Sequence, residues 1–582
     1  MQAARCAWSL EGRKMSRFSP VYPAVVVLVL TSGPALAAPV AVAQDPENAR
    51  EALRLDLSFV KKSGAAYERF KSYVDQALGG DPGYGFSGTD AAIMYRLDGA
   101  GKYARLAIKL AEAQVSSAEE KVAHSDTPEI AGDSYLNVGP MLSDLALVYA
   151  WMPGLLTDTQ KNRYKAYADQ AIYNVWHHTL ANWYSTAVPW SGWCADPMDP
   201  GDNYFYSFIT ASALWALASN NPEQMAFVKG TLLPALERYF SVLPDGGSIE
   251  GTGYGASHKN LFALYQILRD SGIALGTNMQ KHVTGSIYYW VNATVPTLDY
   301  YAPFGDLSRD SIPSLFDYHR QIVLEARNLT DDSAARAVAD WWLGNISVRQ
   351  MSHGFESRFD LLPQGMQAQP PEKLTYVARG VGQVFSRTSW KKDAVWFSFV
   401  AGILNQSHEG HQQGAFALYK KGWLTVTGNI YSHSGIQQSV KLNNVLRFER
   451  GSEVLEQREG TARSEVSAGE NGDVKIVANL TPIAPAKTTW ERTAEFVGGK
   501  LTINDNYSAA EGIAATFQFV TPTRPTIQDQ TITAGGLKAT VLTPNAVIKV
   551  TPLNSIDADF NSGYRVDIGG GAGSYAVVFE SR

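Results

Sequence analysis

Three stretches of this sequence collect side chains that move protons. Tyr254 follows Glu250-Gly251-Thr252-Gly253 within the run DGGSIEGTGYG at 245–255. Asn203 stands between Asp202 and Tyr204, 51 residues earlier, and His408 and His411 bracket Glu409-Gly410 in SHEGHQQGAF at 407–416. A phenol, an imidazole and a carboxyl group are the side chains that serve as general acid or base, and a carboxamide can hydrogen-bond an anionic group. Glycines around Glu250 let the backbone come close to a neighbour. Each residue also has an ordinary structural reading. Tyr254 can be a packed ring in a helix-starting turn, Asn203 an N-cap, Glu250 a buried hydrogen-bonded carboxyl, and either histidine a structural one.

Two kinds of element must position these groups. Before about residue 370, apolar residues recur at helical spacing: Leu142, Leu145, Tyr149 and Met152; Tyr164, Tyr167, Ala171 and Val175; Phe205, Phe208, Ile209 and Ser212; Leu261, Leu264, Ile267 and Leu268. Thr157-Asp158-Thr159-Gln160 has the spacing of a capping box ahead of the second of these. Pro197–Gly201 and Pro244–Gly247 read as connectors. The segment 351–373 has three prolines and no period, and reads as a linker. Beyond it Val395, Phe397 and Phe399 alternate with Trp396, Ser398 and Val400. Phe416–Tyr419, a Lys421-Gly422 turn and Trp423–Val426 read as a hairpin. Short runs at Ala494–Val497, Lys500–Ile503, Ala539–Leu542 and Ala576–Phe579 continue the pattern. The expected fold class is multidomain, α then β: an N-terminal (α/α) toroid at 44–350, a linker at 351–373 and a C-terminal antiparallel β-sandwich at 374–582.

Residues 1–43 read as an upstream extension and a secretory signal. From Met15 the chain carries a basic Arg17, an apolar run Ala24–Leu30 and the small residues Ala35-Leu36-Ala37, with cleavage expected after Ala37 or after Ala43. The protein is therefore expected to be exported, periplasmic or secreted from a bacterium. Its one cysteine past that segment, Cys194, leaves no intramolecular disulfide. A net charge of -6 argues against nucleic acid, and no later run is long enough for a membrane span. With 14 Trp and 28 Tyr, the aromatic content fits either sugar platforms or core.

The order of helices then strands, with DGGSIEGTGYG at 245–255 and SHEGHQQGAFALYKKGWLTV at 407–426, resembles the heparinase II/III-like polysaccharide lyases over nearly the whole chain past the signal. The resemblance implies an exported enzyme that cleaves an acidic polysaccharide by β-elimination at a uronic acid. In that chemistry the substrate carboxylate must be neutralised, the C5 proton removed and the 4-linked oxygen protonated. By resemblance Tyr254 is the acid, or both acid and base. Asn203 hydrogen-bonds the substrate carboxyl, although Tyr204 follows it where some relatives have a histidine. Aligning on Gln413-Gly414-Ala415-Phe416 makes His408 the base for one substrate epimer, with Gly410 and Gln412 replacing the family's second His and its Asp.

Substrate contacts are expected from Glu250, His258, Lys259, Arg309 and His411, and from the aromatic rings of Trp190, Trp193 and Tyr204. Some relatives hold a zinc, but this chain has Gly410, Thr427 and Asn443 at the best-aligned places. No cofactor is therefore expected to be required, and a structural divalent metal, for which His411 and His433 are the remaining candidates, is not favoured. The modest number of basic residues points to a non-sulfated, glucuronate-containing polymer as partner. Two rival readings remain open at this level. One is a glycoside hydrolase pairing Glu250 with Asp306 or Asp202; the other is a non-catalytic glycan-binding protein. Oligomeric state is open.

Overall fold

The computed structural model describes residues 53–582, apart from 185, 189, 191–195, 308–310, 348–353, 364, 366–369 and 407, with only the backbone of 354–357. The signal-like segment, Cys194, Trp193 and Arg309 lie outside the described residues. Helices fill 65–345, interrupted by the small hairpin Asn182–Trp183 and Thr186–Ala187, and antiparallel strands fill 375–581. No described helix is long and apolar enough to cross a membrane.

The helices form two layers. Gly88–Asp98, Val138–Trp151, Asn203–Ser219, His258–Asp270 and Asp317–Leu329 pack each against the next. Gly101–Ala123, Asp158–Trp176, Thr277–Ala293 and Ser333–Asn345 pack against that series. Asn203–Ser219 is apolar on all sides and is buried along nearly its whole length, as an inner-layer helix must be. The capping box at the start of Asp158–Trp176 forms as its spacing predicts. Thr157 Oγ1 accepts from the Gln160 N–H at 3.2 Å, and Gln160 Oε1 accepts from the Thr157 N–H at 3.0 Å.

The segment read as a linker contains the 3-10 helix Gly354–Leu361, which packs on both Ala65–Leu78 and Asp317–Leu329 and so joins the two ends of the helical series. Arg358 donates to the buried Asp90 at 2.7 Å, and Asp360 accepts from Arg69 and Arg320 at 2.8 and 2.5 Å. Charge pairing thus fixes a stretch that has no periodic apolar pattern, which is why periodicity alone reads it as a connector.

Among the described residues the strands past 375 make one eight-stranded sheet, two five-stranded sheets and a short pair of Ile403–Leu404 with Gly460–Thr461. Phe397 and Phe416 of one five-stranded sheet, and Phe517 and Phe519 of the other, pack on Phe496 and Phe579 of the eight-stranded sheet. The large sheet therefore lies across both smaller ones. The alternation at 395–400 hides a further contact: Trp396–Val400 is buried on both faces. One face meets the sandwich. On the other, Trp396 Nε1 donates to the Asn292 carbonyl at 3.1 Å, and the neighbouring Phe385 packs on Tyr289 of the helix Thr277–Ala293. Fully buried Trp215, Trp290, Trp342, Trp396 and Trp490 account for much of the aromatic excess as core, each stabilising by roughly 1.5–3 kcal/mol.

Candidate active site

On the helical side, Tyr254 ends the one-turn helix Gly251–Tyr254. This turn is pressed onto the segment 302–307. A Cβ on Gly251, whose φ is +90°, would collide with the Phe304 carbonyl, and one on Gly253 with the Asp306 carbonyl. Thr252 completes the seam: its N–H donates to Phe304 O at 2.8 Å and its hydroxyl to Ala302 O at 2.7 Å. The glycines are thus needed for close backbone packing, and that packing fixes where the Tyr254 ring stands.

On the strand side, His408 lies in the turn between Ile403–Leu404 and Phe416–Tyr419. The turn is tied internally. Glu409 accepts the Asn405 N–H at 2.9 Å, and Gln413 Nε2 donates to Glu409 and to the Ile403 carbonyl at 2.9 and 3.0 Å. Behind it, the fully buried Arg492 pairs with Asp505 at 2.6 Å and donates to the Gly414 and Asn444 carbonyls at 2.6 and 2.8 Å.

The two sides meet ring on ring. Tyr254 and His408 stack with centroids 3.6 Å apart and planes 7° from parallel. The buried Asp306 orients the histidine, since its Oδ2 accepts from His408 Nδ1 at 2.9 Å and from Gln438 Nε2 at 2.9 Å. The Asp306 N–H in turn donates to the His408 carbonyl at 2.7 Å. With Nδ1 engaged, Nε2 is the nitrogen left to exchange a proton. Burial pulls the His408 pKa down, but the hydrogen bond to Asp306 and the acidic groups around it outweigh that and hold the imidazole above its usual 6.5.

Asn203 opens the helix Asn203–Ser219 without capping it: the N-cap is Asp202, whose Oδ1 accepts from the Tyr204 N–H at 2.9 Å. The Asn203 carboxamide is therefore spared from capping and donates through Nδ2 to Glu250 Oε1 at 3.1 Å. Glu250 is 2% exposed, and burial pushes its carboxyl up to about 8. Asp202 is also raised by burial, against the opposing Tyr204 N–H.

Several expected substrate contacts are placed elsewhere. His258 is buried against Tyr206, at 3.1 Å from its hydroxyl, and against His282; burial drives its pKa well below 6.5, so it adds no positive field. Tyr204 is buried and donates to Asp133 at 2.9 Å. Trp190 is half-buried and stacks on Tyr135 at 5.7 Å. Lys259 is half-buried, and its charge acts on the buried His319. His411 stands 3.8 Å from Glu456, while His433 faces Asn561 at 3.4 Å. Among the described residues no three His, Cys, Asp or Glu side chains are grouped to hold a metal. The orienting role of Asp306 and the participation of Gln438 are not visible in sequence. Phe304-Gly305-Asp306 marks a loop, but only the folded chain brings it under His408.

No family model and no curated protein matches this chain. Solved structures do. A heparinase III gene product aligns over 92% of this chain and 86% of its own, with a TM-score of 0.59 and 14% identity. A second heparinase III aligns over 90% and 78%, at 0.58 and 11%. Heparan sulfate lyase HepC from Pedobacter heparinus aligns over 92% and 86%, at 0.56 and 13%. The chain has the heparinase III fold. Within that fold, helices and strands each supply one ring of the Tyr254–His408 stack.

Proposed function

We propose that this protein is an exported polysaccharide lyase that cleaves an acidic, uronate-containing chain by β-elimination. The observation that carries the reading is the stacked Tyr254–His408 pair, one ring from each half of the molecule, with Asn203 held close by through Glu250. Asn203 donates to the substrate carboxyl, which makes the C5 proton more acidic. His408 Nε2 or the Tyr254 oxygen takes that proton. The electron pair of the broken C5–H bond forms C4=C5, the C4–O bond breaks, and Tyr254 returns a proton to the leaving oxygen. Removal by Tyr254 gives syn elimination and removal by His408 gives anti.

The disposition of the carboxyl groups speaks against a hydrolase. Glu250 is 2% exposed and tied to Asn203, and Asp306 is buried beneath His408, so neither stands open to a glycosidic bond with a water between them. The low density of basic side chains supports a non-sulfated, glucuronate-containing substrate over a densely sulfated one. The test is a panel of acidic polysaccharides, sulfated and unsulfated, followed by ultraviolet absorbance. Growth of the unsaturated-uronate band on an unsulfated glucuronate polymer is the expected result. Release of saturated ends without that band would support the hydrolase instead.

A further inference from the structure

Among the described residues Glu250 shares with Glu409 a buried carboxyl raised to about 8 and the lack of an ion pair. It has no cationic partner, unlike Asp90 with Arg358 or Asp505 with Arg492. Its Oε1 accepts from the Asn203 carboxamide, the Asn203 backbone N–H also favours its charged form, and its Oε2 is buried with no hydrogen-bond partner among the described residues. The groups facing it are acidic, phenolic or imidazole: Asp202 and Tyr206 from the helix Asn203–Ser219 and its cap, Tyr239 from Leu233–Phe240, and His408 from the strand side. A buried charge in such company is costly, so the neutral acid is the form the surroundings accept.

The two forms treat Asn203 differently. An ionised Glu250 can only accept, so it occupies one N–H of the Asn203 amide and turns the carbonyl oxygen towards the ligand side. A neutral Glu250 can donate its O–H to Asn203 Oδ1. A carboxamide has almost the same shape after a half-turn about its terminal bond, and in that orientation both N–H groups are free. Those two N–H groups match the two oxygens of a carboxylate. We infer that Glu250 is a positioning residue that orients the Asn203 carboxamide, and that its protonated form presents both Asn203 N–H groups, rather than one, to an acidic sugar. The same protonation removes a negative charge from the path of an anionic substrate. The inference rests on the lyase reading for its catalytic meaning, while the orientation itself can be read in the free protein.

Two measurements test it. The first is infrared difference spectroscopy of the whole protein, wild type minus Glu250→Gln, over pH 6 to 10. A protonated-carboxyl band present at neutral pH and lost near pH 8 is expected, following the raised carboxyl; its absence at pH 7 overturns the inference whatever the enzyme does. The second is the pH profile of elimination. Glu250→Gln keeps a permanent donor to Asn203 Oδ1, so it should stay within about threefold of wild type at pH 7. At pH 9 it should remain active where wild type has fallen about tenfold, one pH unit beyond the titration. Glu250→Ala should lose at least about tenfold in kcat/KM at both pH values. An alkaline limb unchanged in Glu250→Gln, or a Gln variant as impaired as the Ala variant, overturns the inference. The band seen as expected, with no unsaturated product from any uronate polymer, would sink the lyase reading and leave the orientation of Asn203 standing.

Discussion

On the helical side of the site Glu250 has no ion pair, whereas Asp306, from the same half of the chain, meets an imidazole supplied by the strand side. Glu250 is buried, hydrogen-bonded to Asn203 and raised to about 8; Asp306 is equally buried, yet it accepts from His408 Nδ1 and Gln438 Nε2. The difference follows from the partners each fold half can offer. The turn 250–254 is locked by glycine-to-backbone packing and brings no cation. The turn around His408 brings an imidazole directly over the segment 304–307. One side is therefore suited to neutralising a substrate carboxylate by hydrogen bonds, and the other to exchanging a proton.

The contrast can be broken from the largest effect downwards. Arg492→Ala should cost about 3–5 kcal/mol of folding stability, because it strands Asp505 in the sandwich core and releases the Gly414 carbonyl behind the His408 turn. Denaturant melts check this, and a loss under about 1 kcal/mol, the scale of an exposed ion pair, would mean the turn is held by something else. Tyr254→Phe should lower kcat at least about 100-fold, the low end for a general acid, with the melting temperature nearly unchanged since the ring is retained. A near-normal kcat would remove Tyr254 from proton transfer.

Asp306→Asn should act more mildly and in a directed way. The carboxamide oxygen of the variant can still accept from His408 Nδ1, so the ring orientation survives, but the charge that raises His408 is gone. The imidazole must be neutral to act as base, so wild-type activity rises as pH climbs through its elevated pKa. The variant's acid limb should move to lower pH, with kcat reduced about tenfold through weaker basicity. A limb that stays in place would show that His408 does not titrate in the reaction.

Much of this arrangement was legible in the sequence, and the illegible parts share a cause. Helical spacing, the Thr157–Gln160 capping box and the Lys421-Gly422 hairpin are local patterns, and the structure forms each of them. Tyr254 and His408 are singled out in the sequence by the resemblance of the stretches that carry them, and the structure stacks their rings. His258 misleads because its sequence neighbours Ser257 and Lys259 are polar, while the fold seals it against Tyr206, Phe240 and His282. Within the segment 351–373, Arg358 and Asp360 make ion pairs with residues far away in sequence, which no local pattern records. Asp306 beneath His408 is a pairing across 102 residues that no local pattern records.

The most direct test of the account is the chemical nature of the product made by the wild-type enzyme and by Tyr254→Phe from one unsulfated glucuronate polymer, read by mass and proton NMR. The account predicts a new end group one water lighter than a hydrolysis product, carrying the C4=C5 vinyl proton, formed by the wild type and nearly absent with the variant. Saturated ends of full mass, or unsaturated ends formed equally by both proteins, would contradict it.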